Sequence, residues 1–130
     1  MERNFIDGTW QKKNRAFSPA VTTQGGKTIW LAGHGAIRDE NGNSLAGNFR
    51  SQTHQAFKLL SATIAKAGGK ITDMVTMTVY ILDAGYGGQF IEIRREYFEN
   101  FPASALITVS GFAHPDMMVE IQGVAVINDV

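Results

Sequence analysis

The sequence contains no cysteine among its 130 residues. This absence excludes disulfide bonds, metal sites built on thiolates and cysteine nucleophiles, and it is compatible with a reducing cytosol. No apolar run is long enough to span a bilayer, and the N-terminal segment lacks the apolar core of a signal peptide. We therefore expect a soluble, cytoplasmic protein that does not bind a membrane.

The sequence also lacks an excess of charge of either sign. Its 12 lysines and arginines balance 12 aspartates and glutamates, so the formal net charge is zero. Without a basic stripe, binding to nucleic acid is not expected. The histidines, His34, His54 and His114, are scattered and form no i,i+4 pair, so the sequence predicts no metal site.

Length and composition indicate one folded domain, residues 1–130, in which apolar residues make up 44% of the chain. Two stretches show helical periodicity. The first begins after Asn48, a preferred N-cap residue, and stops at Gly68–Gly69. The second covers about Gln89–Phe101 and is ended by Pro102.

Other apolar segments have the pattern of strands. Val21–Thr23 and Thr28–Gly33 flank Gly25–Gly26, which predicts a β-hairpin. Ile71–Leu82 alternates, so one face is suited to packing on helices and a semi-polar face is suited to another subunit. The polar segment Met1–Ala16 indicates at most a short strand or a docked arm.

The stretch Pro102–Val126 predicts two more strands, joined by the Gly- and Pro-containing loop Ser110–Met117. The resulting order β-β-α-β-α-β-β, with two helices on one face of a mixed sheet, predicts an α+β fold. No element is left to cover the other face of the sheet, so we expect the chain to form an oligomer.

Glu120 is unusual because the last predicted strand, Met118–Ile127, is otherwise strongly apolar. Alternation places Glu120 and Gln122 on the face opposite to Val119 and Ile121. A carboxylate on such a strand must find a partner, reach water or take a raised pKa. Two interpretations stay open at this point: an edge-strand glutamate that faces solvent, or a functional acid.

His34 ends the second strand of the predicted hairpin, between Gly33 and Gly35. Glycines on both sides allow a small ligand to approach the imidazole closely, which makes His34 a candidate substrate-binding residue and auxiliary acid or base. A turn histidine without chemistry is the other interpretation.

Segments distributed over nearly the whole chain resemble the reactive-intermediate deaminase family, also called Rid/YjgF or endoribonuclease L-PSP-like. They occur in that family's order and spacing, and they are Phe17–Val21 (FSPAV), Ile29–Gly33 (IWLAG), Phe90–Phe98 (FIEIRREYF), and Pro102–Ala103 with Met118–Val126 (PA…MVEIQGVAV). The resemblance implies a chorismate-mutase-like (YjgF-like) α+β fold. It also implies a homotrimer with sheets inside, helices outside and clefts between neighbouring subunits.

The resemblance further implies an activity. Family members hydrolyse enamines and imines, here 2-imino or 2-amino unsaturated acids, to carbonyl compounds and ammonia without a cofactor. One alternative is a non-catalytic trimer of the same fold that binds a small metabolite or has a regulatory role. Another is a 2-aminomuconate-type deaminase of an aromatic ring-cleavage pathway. RNA cleavage, suggested by the older family label, is disfavoured by the zero net charge and the lack of paired histidines.

The match to the family's site residues is mixed. The resemblance makes Glu120 the cleft glutamate that positions or activates the attacking water. It makes Gly33 a residue whose backbone N–H lines the site. Ala32 stands in place of the serine before that glycine, and Phe17 stands in place of a cleft tyrosine, keeping the ring without the hydroxyl.

The largest departure is Ser104, which stands where the family has an arginine that clamps the substrate carboxylate. Arg94 occupies a helix position normally held by a cleft asparagine. We hypothesise that Arg94 replaces the lost cation, so that Glu120, Ser104 and Arg94 form the catalytic set. The alternative is that Arg94 pairs with glutamates along its own helix, such as Glu92, or with nearby acidic turns, and that the cleft is uncharged. Leu106, on the same strand as Ser104, is a further expected substrate contact.

Overall fold

A computed structural model describes residues 1–8 and 13–129 of the chain. Its main elements, in chain order, are β1 (Glu2–Ile6), β2 (Ala20–Gln24), β3 (Lys27–His34), α1 (Phe49–Lys66), β4 (Met74–Ile81), α2 (Gly87–Tyr97), β5 (Ala103–Thr108) and β6 (Val119–Ile127). Short 3₁₀ turns at Lys13–Arg15, Ile71–Asp73 and Ala84–Tyr86 precede β2, β4 and α2. The predicted N-terminal arm contains β1, while its residues 9–12 lie outside the described residues.

Helix α1 begins and ends where the sequence predicts. The Asn48 side chain accepts a hydrogen bond of 3.0 Å from the Ser51 backbone N–H and so caps the first turn. At the other end Gly68 has a φ of +95°, which favours glycine, and the Gly69 N–H donates to the Ile64 carbonyl at 3.1 Å. Within residues 1–8 and 13–129, no helix is both long enough and apolar enough to cross a membrane.

Four strands form the main sheet in the order β3-β6-β4-β5, and β1 pairs with β2 in a separate two-stranded sheet. Strands β4 and β5 run parallel, whereas the other neighbours in the main sheet run antiparallel. Both helices pack on one face of this mixed sheet, which confirms the predicted α+β class. The core between helices and sheet contains Leu31, Phe49, Ala56, Phe57, Leu60, Ile64, Met74, Met77, Val79, Ile81, Phe90, Ile93, Phe98, Val119, Ile121 and Ala125.

The face of the sheet away from the helices carries exposed apolar side chains. Trp30 of β3 is 80% exposed and Ile107 of β5 is 42% exposed. The strand register places both on the same face as Tyr80 and Val124. The exposed surface agrees with the expectation of an oligomer, and the oligomer itself stays a prediction.

The predicted hairpin of β2 and β3 is wrong. Gly25 and Gly26 turn the chain with φ values of +76° and +83°, as the sequence indicates. However, β2 pairs with β1, with Phe5 opposite Val21, and β3 pairs with β6. A Gly-Gly pair marks a turn, but the partner of each strand is decided by the rest of the sheet.

Two element boundaries also differ from the prediction. Helix α2 ends at Tyr97 because Phe98 is extended, and the carbonyls of Phe101 and Pro102 accept hydrogen bonds from Ser18 instead of from a helix. Strand β4 begins at Met74, after the 3₁₀ turn, with an irregular register between Met74 and Thr76. This irregularity buries Met74 completely, although simple alternation predicts that it lies on the semi-polar face.

Candidate functional site

Glu120 lies near the start of β6, on the sheet face away from the helices. It is paired across the sheet with Tyr80, whereas its neighbours Val119 and Ile121 are buried in the core. Its side chain is half-buried. Among the described residues, no group donates a hydrogen bond to its carboxylate or forms an ion pair with it. The carboxylate is therefore available to a ligand or a water molecule.

Gly33 provides the space that the Glu120 side chain occupies. An added Cβ at Gly33 would lie 2.7 Å from Glu120 Cδ and 2.8 Å from its Oε1. The register of β3 against β6 shifts between Leu31 and His34, so that Ala32 and Gly33 together oppose Gln122. This bulge breaks the simple alternation predicted for β3 and brings the Gly33 backbone beside the carboxylate. We call Glu120 and Gly33 the acid cluster.

Arg94 lies on the buried side of α2 and is only 2% exposed. Its Nη1 donates a hydrogen bond of 2.5 Å to Ser104 Oγ, and its Nη2 donates one of 2.9 Å to the Arg15 carbonyl. Its guanidinium carbon also lies 5.1 Å from the centre of the Phe90 ring. Residues 94 and 104, which the family resemblance predicts to be the main departures, are thus in direct contact.

The Arg94 cation has no carboxylate partner among the described residues, and its Nε is buried without a hydrogen bond. The suggested pairing with Glu92 is wrong, because Glu92 is exposed and lies 3.6 Å from Arg50 of α1. Burial, with further contributions from nearby Arg15 and Arg95, lowers the pKa of Arg94 to about 10. Arg94 is therefore still charged at neutral pH.

The backbone on both sides of Phe17 is tied to Arg94 and to the start of β5. Arg94 binds the carbonyl of Arg15, two residues before Phe17. Ser18 donates from its backbone N–H to Pro102 and from its hydroxyl to Phe101, at 3.0 and 2.6 Å. We call Phe17, Arg94 and Ser104 the arginine cluster, since one guanidinium links the chain before Phe17 to strand β5.

The two clusters face opposite sides of the main sheet. Ser104 is paired with Met77, which lies in the core, whereas Glu120 is paired with Tyr80 on the other face. Within one chain, the structure therefore does not bring Glu120 together with Ser104 and Arg94. Leu106 shares the helix-facing side with Ser104 and contacts the α2 residue Gly87, where a Cβ would lie 3.4 Å from it.

His34 is not beside Glu120 either. Its Nε2 is 2.8 Å from the Thr63 hydroxyl on α1, and its Nδ1 is 2.7 Å from the Ala32 carbonyl. His54 contacts the Tyr97 hydroxyl on α2, and His114 accepts from the Asp116 N–H in a loop. Across residues 1–8 and 13–129, no group of three or more potential metal ligands is present.

Two cavities in the described part of the chain lie away from the acid cluster. The larger one, about 1110 Å³, is lined by both ends of the chain and by the C-terminal ends of α1 and α2. A smaller one, about 440 Å³, adjoins the arginine cluster through Phe17 and includes Ser18 and Phe101. Neither of these two cavities is lined by Glu120 or Gly33.

Comparison with known proteins identifies the family of this chain. The family model described as Endoribonuclease L-PSP matches residues 11–127. A RutC family protein of Pyrococcus abyssi is 31% identical over 77% of this chain and 79% of its own length. A protein of Dermatophagoides farinae named 2-iminobutanoate/2-iminopropanoate deaminase is 27% identical over 85% of each chain.

Solved structures show the same fold. The crystal structure of YyfB, a conserved Rid family protein of Yersinia pestis, covers 98% of this chain and all of its own, with a TM-score of 0.86 and 23% identity. RidA from an Antarctic Psychrobacter covers 89% of this chain and 97% of its own, with a TM-score of 0.71 and 24% identity. The fold is thus the YjgF fold. The chain belongs to the Endoribonuclease L-PSP family, also known as Rid/YjgF.

Proposed function

We propose that this protein hydrolyses enamine or imine intermediates, namely 2-imino or 2-amino unsaturated acids, and releases ammonia. The observation that supports this most directly is the Glu120 carboxylate, which lies over Gly33 without a partner among the described residues. The deaminase name of the Dermatophagoides farinae relative adds support. The reaction needs no more than a positioned base and a donor that holds the substrate.

In the proposed mechanism the enamine first tautomerises to an imine. Glu120 accepts a proton from a water molecule while the water oxygen bonds to the carbon of the C=N bond, and Glu120 then passes that proton to the nitrogen to give a neutral carbinolamine. Glu120 next takes the hydroxyl proton of the carbinolamine and delivers it to the nitrogen, so that the C–N bond breaks and a carbonyl compound and ammonia leave. General base catalysis of this kind typically accelerates a step by about 10²–10⁴.

The arginine cluster supplies the proposed substrate anchor. Arg94 Nη1 donates to Ser104 Oγ, so the hydroxyl proton of Ser104 is directed away from Arg94 toward another acceptor. Because Arg94 is buried without a carboxylate partner among the described residues, the cluster carries a positive charge that a substrate carboxylate balances. Arg94 then acts through Ser104 rather than as an exposed clamp.

The opposite orientation of the clusters is accounted for by a site shared between two copies of the chain. In this proposal the acid cluster of one copy faces the arginine cluster of its neighbour in a homotrimer. The exposed apolar face around Trp30 and Ile107 supports contact between copies.

The activity is tested with Glu120→Gln and a matched control, Glu92→Gln, which removes an exposed carboxylate of α2. Ammonia release is measured with an enamine generated in situ by an amino-acid oxidase or dehydratase. We expect Glu120→Gln to lose at least about 100-fold in kcat/KM, with an unchanged oligomeric state, and Glu92→Gln to keep its activity. Full turnover by Glu120→Gln rules out the proposed role, and binding without turnover by the native protein favours a non-catalytic module.

The shared site is tested by mixing two inactive proteins. Glu120→Gln lacks a working acid cluster, and the double variant Arg94→Met/Ser104→Ala lacks a working arginine cluster. If each site combines clusters from two chains, co-refolding at equal amounts restores about one quarter of the sites, the value for random pairing in a ring. If the co-refolded mixtures are as inactive as the separate variants, a site does not combine clusters from two chains, and the proposal is contradicted.

RNA cleavage, which the family description suggests, is not the proposed activity. A nuclease of the acid–base type needs two proton-transfer groups close together at the phosphodiester. The three histidines are engaged on separate elements, with Thr63, Tyr97 and the 114–116 loop. The zero net charge also supplies no attraction for a phosphate backbone.

A further inference from the structure

Gln52 is a fully buried amide in the first turns of α1. Its Nε2 donates hydrogen bonds to the carbonyls of Leu45 at 3.0 Å and Asp116 at 2.8 Å. Its Oε1 accepts a hydrogen bond of 2.8 Å from the backbone N–H of Met118. Both amide hydrogens and the carbonyl oxygen are therefore used, and all three partners are backbone groups of other segments.

These partners place Gln52 at the junction between the helix layer and the candidate site. The segment 109–118 joins β5, which carries Ser104, to β6, which carries Glu120. Gln52 holds the last part of this segment at two points, Asp116 and Met118. The second point lies two residues before Glu120.

The rest of the segment offers less support. Most residues between 110 and 116 are exposed, and two of its hydrogen bonds, from the backbone N–H groups of Asp116 and Met117 to His114, are internal. Contacts with the rest of the chain include Val109 N–H to the Ile81 carbonyl and Leu82 N–H to the Met118 carbonyl, a long bond of 3.3 Å. The two Gln52 bonds to this segment are shorter, at 2.8 Å each, and come from a fully buried side chain.

We propose that Gln52 is a positioning residue for Glu120, an inference that rests on the proposed function. By holding the backbone of Asp116 and Met118, it fixes the position of the first residues of β6 relative to the β3 bulge. That position decides whether the Glu120 carboxylate lies over Gly33. A side chain that only donates or only accepts cannot hold both points, which is why an amide is suited to this position.

The experiment compares Gln52→Met, which keeps the length of the side chain without its polar atoms, with Thr53→Val. Thr53 is buried in the same turn and bonds only the Phe49 carbonyl of its own helix, so its loss perturbs α1 without touching the 109–118 segment. Kinetics are measured at a temperature where melting curves show each protein folded. We expect Gln52→Met to lose at least 10-fold in kcat with KM within two-fold, and Thr53→Val to keep both. A kcat of Gln52→Met within two-fold of Thr53→Val overturns the inference.

Gln52→Glu provides a second readout, and it is used alone if Gln52→Met does not fold. A carboxylate accepts from Met118 but donates nothing to Asp116, whereas the protonated acid does both. We expect the ratio of its kcat to that of the native protein to rise at least three-fold as pH falls from 8 to 6. A ratio independent of pH overturns the inference.

Glu120→Gln is assayed in parallel, because its result separates the two proposals. If Glu120→Gln is active, the proposed function fails. If Glu120→Gln is inactive while Gln52→Met behaves like Thr53→Val, the proposed function stands and only the positioning role of Gln52 is removed.

Discussion

Arg94 donates a hydrogen bond of 2.5 Å to the hydroxyl of Ser104, which joins the two positions that the family resemblance predicts to be the main departures of this chain. The contact means that residues 94 and 104 are not independent. An arginine at 104 and an arginine at 94 would place two guanidinium groups in the same buried space. An arginine at 104 and the arginine at 94 are therefore alternatives at one location.

This relationship predicts strong coupling between substitutions at the two positions. Ser104→Arg adds a second cation where no carboxylate of the described residues is available, so we expect a loss of about 2–4 kcal/mol in the free energy of unfolding. Arg94→Asn in the same chain should recover most of that loss. Urea denaturation of both single variants and the double variant measures the coupling. Additive effects contradict the prediction.

Gly33→Ala should impair activity through Glu120. The new Cβ would lie 2.7 Å from Glu120 Cδ, so the carboxylate must move by a few tenths of an ångström or more. Because small displacements of a catalytic group are costly, we expect kcat/KM to fall by about 100-fold while the chain remains folded. Gly111→Ala is the matched control, since a Cβ there meets nothing within 4 Å. Equal activity of the two variants would show that Gly33 is not needed to hold the acid.

Gly123→Ala should destabilise the centre of the sheet. A Cβ at this position of β6 would overlap the Thr76 carbonyl oxygen and lie 2.6 Å from Met74 Cε. We expect the free energy of unfolding to fall by about 1–3 kcal/mol, the usual range for overpacking. Gly88→Ala, in open space on α2, should instead stabilise the protein by about 0.5–1 kcal/mol. Chemical denaturation distinguishes the two, and equal stability of both variants would contradict the overlap.

The surroundings of the Tyr97 hydroxyl predict that the folded protein loses stability at alkaline pH. Burial, and then the charge of nearby Glu96, raise the pKa of Tyr97 above its usual 10.0. Above pH 10 the unfolded chain loses this proton before the folded chain does. The unfolded state then binds fewer protons, so stability falls as pH rises through this range. Tyr97→Phe should show a shallower alkaline decline in melting temperature, although it loses the hydrogen bond to His54. An unchanged slope excludes this contribution.

Much of the fold follows from local sequence signals. The Asn48 cap and the Gly68 stop define α1 because both act through backbone groups of adjacent residues. The α+β class and the open sheet face follow from element order alone. The pairing of β2 with β1 does not, because it depends on which distant edge is available. The sequence marks only the turn at Gly25 and Gly26.

The candidate site, like the fold, is only partly predictable from the sequence. The family resemblance identifies Glu120 and Gly33, and the structure brings them into contact. The contact between Arg94 and Ser104 is not predictable from spacing, because it depends on how α2 packs against β5. The buried hydrogen bonds of Gln52 are not among the predictions either. A signal was present, since a glutamine within the apolar stripe of a helix requires buried partners.

The opposite orientations of Ser104 and Glu120 on the main sheet have a further consequence for enzymology. If a working centre needs residues from two molecules, catalytic output per milligram depends on how concentrated the enzyme is. Assays at nanomolar enzyme would then underestimate its capacity, with rates that rise faster than linearly as more protein is added.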